Sequence, residues 1–408
     1  MIFQNESTWK IEDVEVKELI ERYGSPIYVY SKNKMLERIS VIKDTFEGLD
    51  YSIGHACKSN NNIHLLKILN DNGFGMDVVT MGEYLCARAA GVRRSKIVVN
   101  GNGKSPEEID FFLKEKVGFY NIDSEQELEY IYDKYNGEEF KDTVFSIRVN
   151  PDVDAKTHPY ISTGLKKNKF GIDMKTAEKI LKEKKINIRG IHTHIGSSID
   201  TVIPYEKAYS ILCELIEKYP YIEYVNLGGG WGIDYKKDGS EFNLEEYKEK
   251  VIPLLKKLNK KYLLEIGRFV MGPSALILTK VLYYKKTPFK RFIVVDTNMA
   301  NFIRPALYQG EHLTLPLINE KREEFIADVV GGLCESGDII ALDRNLPEMK
   351  AGEYLAVCDT GAYGYSMASN YNSVFKPAEI LVDGSESKII RRKESIEDLL
   401  RNSLDIEK

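Results

Sequence analysis

Several things are scarce in this sequence. Its 408 residues include two tryptophans, six histidines and five cysteines. The cysteines (Cys57, Cys86, Cys213, Cys334, Cys358) are odd in number and form no C-x-x-C, so they suggest neither a disulfide framework nor a zinc site. Neither sign of charge dominates: 57 Lys plus Arg face 62 Asp plus Glu, for a formal net charge of −5. Basic residues are dispersed rather than striped, which removes the electrostatic footprint of a nucleic-acid binder. Long apolar runs are missing too. The most apolar stretch, Phe269 to Leu278, is far shorter than the roughly 18 to 20 residues that span a bilayer, and Lys280 follows closely. Met1 to Ser7 show no basic region followed by an apolar stretch, so no secretory signal is expected. These shortages lead to an expectation of a cytoplasmic protein with neither nucleic acid nor membrane as partner.

What is present is a chain long enough for two or three domains, 43 % hydrophobic, with 30 Gly and 13 Pro. Between residues 28 and 270, β-type runs alternate with helical patterns. The runs are Tyr51–Ala56, Gly75–Val79, Lys96–Val99, Gly118–Ile122, Thr143–Val149, Ile188–His194, Tyr224–Leu227 and Tyr262–Glu265. Such alternation also fits an open doubly wound sheet, but eight units are what a closed (β/α)8 barrel of the TIM type needs. Ser105-Pro106-Glu107-Glu108 and Ser124-Glu125-Gln126-Glu127 read as capping boxes at two helix starts.

Beyond about residue 270 the texture changes to β-branched and aromatic runs: Leu276–Tyr284, Arg291–Val295, Phe325–Val330, Glu353–Val357, Ala378–Val382 and Ser387–Ile390. Asp383-Gly384 signals a tight hairpin, and Ser395 to Leu400 a short helix. The expected fold is therefore α/β, with a barrel over 28–270 and an all-β domain from 271–408 together with 1–27.

In a barrel, chemistry collects where strands end at their C-terminal side. Here those positions read Lys58, Asp77, Asn100, Asp123, Arg148 with Asn150, His194 with Ser197, Gly228-Gly229-Gly230, and Glu265 with Arg268. Lys58 is either a solvated rim lysine or an amine made nucleophilic by partial desolvation. The glycine run is either a tight turn or an anion cradle. His192-Thr193-His194 would place two imidazoles on one strand face, as in a metal-dependent barrel hydrolase. However, His55, His64, His158 and His312 supply no second spaced pair, so no metal site is expected. Glu265 is either half of a surface salt bridge or an acid able to keep a pyridine nitrogen protonated. In the β domain, Cys334 lies beside Glu335 and Asp338, neighbours unsuited to a dry core.

One ordered set of segments runs through nearly the whole chain. It comprises Ala56-Cys57-Lys58-Ser59-Asn60, Asp154 to Gly164, Asn168-Lys169-Phe170-Gly171, His194-Ile195-Gly196-Ser197, Gly228-Gly229-Gly230, Glu265-Ile266-Gly267-Arg268, Ile303 to Tyr308, Cys334-Glu335-Ser336, and Gly361 to Asn372. This set resembles the fold-type III decarboxylases that depend on pyridoxal 5'-phosphate, and within them the branch acting on meso-2,6-diaminopimelate.

The resemblance implies that Lys58 attaches the cofactor, that His194 stacks on its ring and that Glu265 pairs with the ring nitrogen. Asp77 then supports His194 and the pocket. Ser197, Gly229, Gly230, Gly267 with Arg268, and Tyr363 surround the phosphate. Arg268, Arg304, Tyr308, Glu335 and Tyr363 contact the substrate, and Cys334 protonates the reacting carbon from the other subunit of a homodimer. The implied reaction releases CO2 and L-lysine, the last step of lysine biosynthesis. Alternatives are decarboxylation of ornithine, D-lysine or carboxynorspermidine, a hydrolase resting on His192 and His194, or a cofactor carrier resting on Lys58 alone. Two departures stand out: Ile266 replaces a frequent proline, and Ser373 to Pro377 stand where many relatives have Arg-Pro-Arg.

Overall fold

The computed structural model describes residues 1–5, 8–135, 140–154 and 169–404. The motif residues 155–164 and Asn168, and His158, lie outside the described residues. The chain divides into two compact units, one of residues 39–233 and 240–269, the other of residues 1–38, 234–239 and 270–408.

The first unit is a closed parallel barrel. Its strands are β1 (Tyr51–Ala56), β2 (Gly75–Val78), β3 (Ile97–Val99), β4 (Phe119–Ile122), β5 (Val144–Asn150), β6 (Ile188–His192), β7 (Tyr224–Asn226) and β8 (Lys261–Ile266). Each pairs in parallel with the next, and β8 returns to β1 in the register Tyr262↔Tyr51 to Ile266↔His55. Closure buries both faces of the strands, which accounts for continuous apolar runs such as Ile97–Val99. Helices fill the gaps with one apolar stripe each: Pro106–Lys114 buries Ile109, Phe112 and Leu113, at the i, i+3, i+4 spacing that shares a helix face. All eight sequence-predicted strands form, with ends within two residues of expectation.

At Ser105 both bonds of the capping box are present: Ser105 Oγ accepts from Glu108 N, and Glu108 Oε2 accepts from Ser105 N, each at 3.2 Å. The second box is only half formed. Ser124 Oγ accepts from Glu127 N, but the Glu127 carboxylate takes the Asp123 N–H (2.9 Å), the Tyr120 hydroxyl (2.7 Å) and the buried Lys104 ammonium (3.0 Å). A neighbouring buried cation therefore outcompetes the local cap.

The second unit is mainly sheet. Its strand order is Ile339–Pro347, Glu324–Val330, Arg291–Val295, Ala275–Lys286, Ile27–Ser31, Ala378–Asp383 and Glu386–Arg391, with Tyr354–Val357 also on Ala275–Lys286. Alternation along Ile27–Ser31 sends Ile27 and Val29 into a core with Leu276, Leu278, Ile380 and Val382. Tyr28 and Tyr30 lie between them in sequence and donate to Asn301 O and Glu379 Oε1. This strand and residues 234–239 belong to the sheet unit. The expected hairpin at Asp383-Gly384 and the helix after Ser395 are both present.

Sequence patterning missed Ile339–Pro347. Asp343 adopts a positive φ of 52°, and its N–H donates to Asp328 Oδ1, so the strand is bulged and breaks period two. Among the described residues no helix is long and apolar enough to cross a membrane.

The Lys104–Glu127 ion pair is deeply buried, with side chains 1 % and 9 % exposed. Lys104→Met should cost about 3 to 5 kcal/mol, because a buried carboxylate loses its cation. Lys104→Met combined with Glu127→Leu should recover much of that loss, as measured by urea unfolding.

Candidate active site

The polar residues at the C-terminal ends of the barrel strands converge on one carboxylate. Glu265, near the end of β8, is 7 % exposed. Its Oε1 accepts from Asn100 Nδ2 and Asn226 Nδ2, each at 2.6 Å, and Asn121 Nδ2 lies 3.5 Å away. His192 Nε2 approaches Oε2 to 3.3 Å, an electrostatic approach outside good hydrogen-bond angles. Asn100 Nδ2 has two hydrogens and donates also to Asp77 Oδ1 at 2.6 Å, so one amide bridges two carboxylates. Asn121 Nδ2 then donates to Asn100 Oδ1 at 2.8 Å, which orients that bridge.

These contacts split the two acids. Burial alone would raise the Glu265 pKa, but its interactions with His192, with His194 and with the Asn100 amide outweigh it and hold the carboxyl below its usual range. Asp77 goes the other way. Burial first, and then the Glu265 charge, raise it well above the usual value against the opposing pull of Lys58 and Asn100. The network thus favours the charged form of Glu265 and disfavours that of Asp77.

Lys58 is exposed just past β1, and its charge reaches both Asp77 and His194. Of the two readings of Lys58, its exposure among these residues fits the rim lysine rather than the desolvated amine. His194 lies two residues beyond the end of β6, where strand alternation no longer applies. Its Nδ1 accepts from Gly229 N at 3.2 Å, which assigns the ring proton to Nε2. Burial, reinforced by the Lys58 and Arg148 charges, holds its pKa well below the usual imidazole value, so the ring is neutral. His192 and His194 are thus directed to different partners, Glu265 and Gly229. Among the described residues no cluster of three or more His, Cys, Asp or Glu could hold a metal.

The glycine run has a steric cause of its own. A Cβ on Gly229 would lie 2.0 Å from Glu265 O, and one on Gly230 would lie 2.1 Å from Gly196 O. The N–H groups of Gly228 and Gly229 donate to Asn226 Oδ1 and His194 Nδ1. The run therefore locks neighbouring loops together, and any anion-binding part falls to Gly230 and its surroundings. Nearby, Arg268 Nη2 donates to Ser197 Oγ at 2.9 Å, and Gly267 lies against Ser59, whose Oγ would be 2.8 Å from an added Cβ. An ionised acid for a cationic ring N–H, a guanidinium with a hydroxyl for a phosphate, and a lysine amine for an aldehyde form a donor set that fits pyridoxal phosphate.

The remaining sequence-predicted residues lie in the sheet unit. Arg304 is buried at the start of a short helix, Arg304–Tyr308. Tyr363 takes a positive φ of 56°, an uncommon conformation for a bulky residue. Cys334 and Glu335 are exposed on the loop between Glu324–Val330 and Ile339–Pro347. Buried Asp338 organises that loop, accepting from Met299 N at 2.6 Å and Leu333 N at 2.8 Å. Sequence reasoning gave no role to Asn121, Asn226 or Asp338. The one available signal was a polar residue inside an otherwise apolar run.

Comparisons with known proteins are consistent along the chain. Residues 32–272 match the family described as pyridoxal-dependent decarboxylase, pyridoxal binding domain. A diaminopimelate decarboxylase of Aquifex aeolicus is 40 % identical over 404 residues, covering 97 % of this chain and 96 % of that one. One from Methanocaldococcus jannaschii is 35 % identical, covering 97 % and 94 %. The crystal structure of diaminopimelate decarboxylase from Helicobacter pylori complexed with L-lysine aligns with a TM-score of 0.89 at 35 % identity, covering 95 % of this chain and 98 % of that one. A lysine/ornithine decarboxylase from Vibrio vulnificus aligns at 0.79 with 18 % identity, which shows a shared fold alone.

Asn100→Leu should destabilise the cofactor-free protein by about 2 to 3 kcal/mol, since two buried carboxylates lose a donor. The loss should be larger at pH 8 than at pH 5, because acid supplies a proton in place of the amide; urea unfolding at both pH values measures it. A second pH effect comes from His55, fully buried on β1, where burial lowers its pKa to about 4. The folded state resists protonation there. Stability is therefore full above pH 6.5 and falls as pH drops towards 4, by on the order of 3 kcal/mol in total. His55→Gln should flatten that part of the stability profile.

Proposed function

The chain belongs to the pyridoxal-dependent decarboxylases, among the diaminopimelate decarboxylases, and from that membership we propose the following division of labour among its residues. The reaction is decarboxylation of meso-2,6-diaminopimelate to L-lysine and CO2. The reading is carried by near-full-length identity to diaminopimelate decarboxylases, joined to a buried acid kept ionised at the barrel mouth.

Pyridoxal phosphate, when bound, supplies an electron-accepting ring. Lys58 would provide the amine that attaches it and that releases the product. Glu265 holds a proton at the ring nitrogen, and its amide belt keeps that carboxylate charged. The neutral His194 ring lies against the cofactor, fixed from behind by Gly229. Ser197, Gly230, the Gly267-Arg268 backbone and Tyr363 hold the phosphate. Asp77 supports His194 and the pocket, and its raised pKa limits the negative charge beside Glu265.

Arg304 and Tyr308 take the distal carboxylate of the substrate and Glu335 its distal ammonium, while Arg268 and Tyr363 also touch the substrate. A planar guanidinium suits a carboxylate, which a diamine-type substrate lacks at that end. Cys334 delivers its Sγ proton to the carbon that has lost CO2, reaching it from the partner in a homodimer. Apolar side chains left exposed on the sheet unit support such pairing: Tyr283 is 69 % exposed, Ile326 55 % and Leu342 44 %. The last two lie on the strands that flank the Cys334 loop. Five unpaired cysteines suit the cytoplasm.

Purified protein with added cofactor should release CO2 and lysine from meso-diaminopimelate, with little turnover of ornithine or lysine and no loss to a chelator. Robust release from ornithine alone would transfer the assignment to a diamine-forming enzyme. Lys58→Ala and Cys334→Ala should each be inactive, yet regain partial activity when mixed. Heterodimers that form without activity would place Cys334 in its own subunit's site.

A further inference from the structure

His312 lies in the sheet unit, 1 % exposed, and none of the roles described so far involves it. Its Nδ1 is 2.8 Å from Cys358 O, and its Nε2 lies 3.2 Å from Arg304 Nε. A carbonyl only accepts and an arginine Nε only donates. The ring must therefore carry its proton on Nδ1 and present a lone pair at Nε2, which is the neutral form. The ring is clamped edge-on by Tyr235 at 4.7 Å and Phe302 at 4.8 Å.

Arg304 is held by the same group. Its guanidinium lies over the Tyr235 ring at 4.8 Å and near Tyr308 at 5.9 Å, and it is 6 % exposed. The helix it starts ends at Gln309 in the left-handed region, and Gly310 then packs close: a Cβ there would lie 3.6 Å from Arg304 Nη2. An arginine side chain has several rotatable bonds, and an acceptor at Nε with an aromatic face fixes both the tilt and the rotation of its plane. With Nε committed to His312, bidentate carboxylate recognition falls to the two η nitrogens.

We propose that His312 is a positioning residue for recognition of the substrate's distal carboxylate, its Nε2 lone pair setting the plane in which Arg304 presents its η nitrogens. This deepens the functional reading above and rests on the role given there to Arg304.

The test is steady-state kinetics of the holoenzyme with meso-diaminopimelate, using L-lysine and 1,5-diaminopentane as competing inhibitors. L-lysine keeps the carboxylate in question, whereas 1,5-diaminopentane lacks it. His312→Leu should raise KM and the lysine inhibition constant together by about tenfold or more, with kcat within about threefold and diaminopentane inhibition unchanged. His312→Gln, whose amide can donate to the Cys358 carbonyl and accept from Arg304, should stay within about threefold of wild type. If the leucine variant does not fold, His312→Asn replaces it under the same criteria, being too short to reach both partners.

The inference is overturned if glutamine behaves like leucine, if KM and lysine inhibition do not move, or if kcat falls while both stay constant. Wild-type protein that fails to turn over meso-diaminopimelate would instead refute the functional reading itself, a result visible before any variant is made.

Discussion

A carboxylate sealed among barrel strands is tolerated only if its lost hydration is replaced, and the barrel mouth is organised around that replacement at Glu265. Two asparagine amides donate to one oxygen and a histidine approaches the other. The donors come from the ends of β3, β6 and β7, whereas the acceptor comes from β8. Closure of the barrel is what brings them within reach. The desolvation that would neutralise an isolated buried acid is overcome, so Glu265 keeps its charge where water is scarce. An electrostatic partner in such a place acts far more strongly than it would in solvent.

The same network forces a difference between Glu265 and Asp77. Both share Asn100 Nδ2, and two ionised carboxylates so placed would repel each other strongly. The pKa of Glu265 is held down by its donors and that of Asp77 is pushed up by burial and by the Glu265 charge, which is the pattern by which paired acids take separate tasks. Nearby groups follow suit. Burial, with the positive charge of Lys58 and Arg148 beside it, keeps the His194 ring neutral, and the Gly229 N–H settles which nitrogen carries the proton.

The sheet unit solves a different problem, holding flexible or exposed groups in one geometry. Arg304 is fixed by a histidine lone pair and a tyrosine face. The loop carrying Cys334 is fixed by the Asp338 carboxylate, which accepts from Leu333 N within it and from Met299 N outside it. In both cases a buried neighbour holds the residue in one place.

The barrel was legible because all eight strands are short apolar runs bounded by turns, and burial on both faces demands that composition. The motif residues Lys58, His194, Glu265 and Arg268 were legible because they stand where strands end. The bulged strand Ile339–Pro347 was not, because Asp343 at a positive φ breaks the alternation on which strand reading depends. The Ser124 capping box was half wrong for a related reason: Glu127 answers to Lys104, 23 residues away, and to the Asp123 N–H rather than to the N–H of Ser124. What the sequence determined by itself was local, namely periodicity, caps, strand ends and the order of the motifs. Tertiary structure alone decided which of two acids has its pKa raised and which lowered, which nitrogen of His194 and His312 bears a proton, and why the glycines must be glycines. Each of those depends on distances between strands far apart in the chain, and such distances do not exist until the barrel and the sheet have closed.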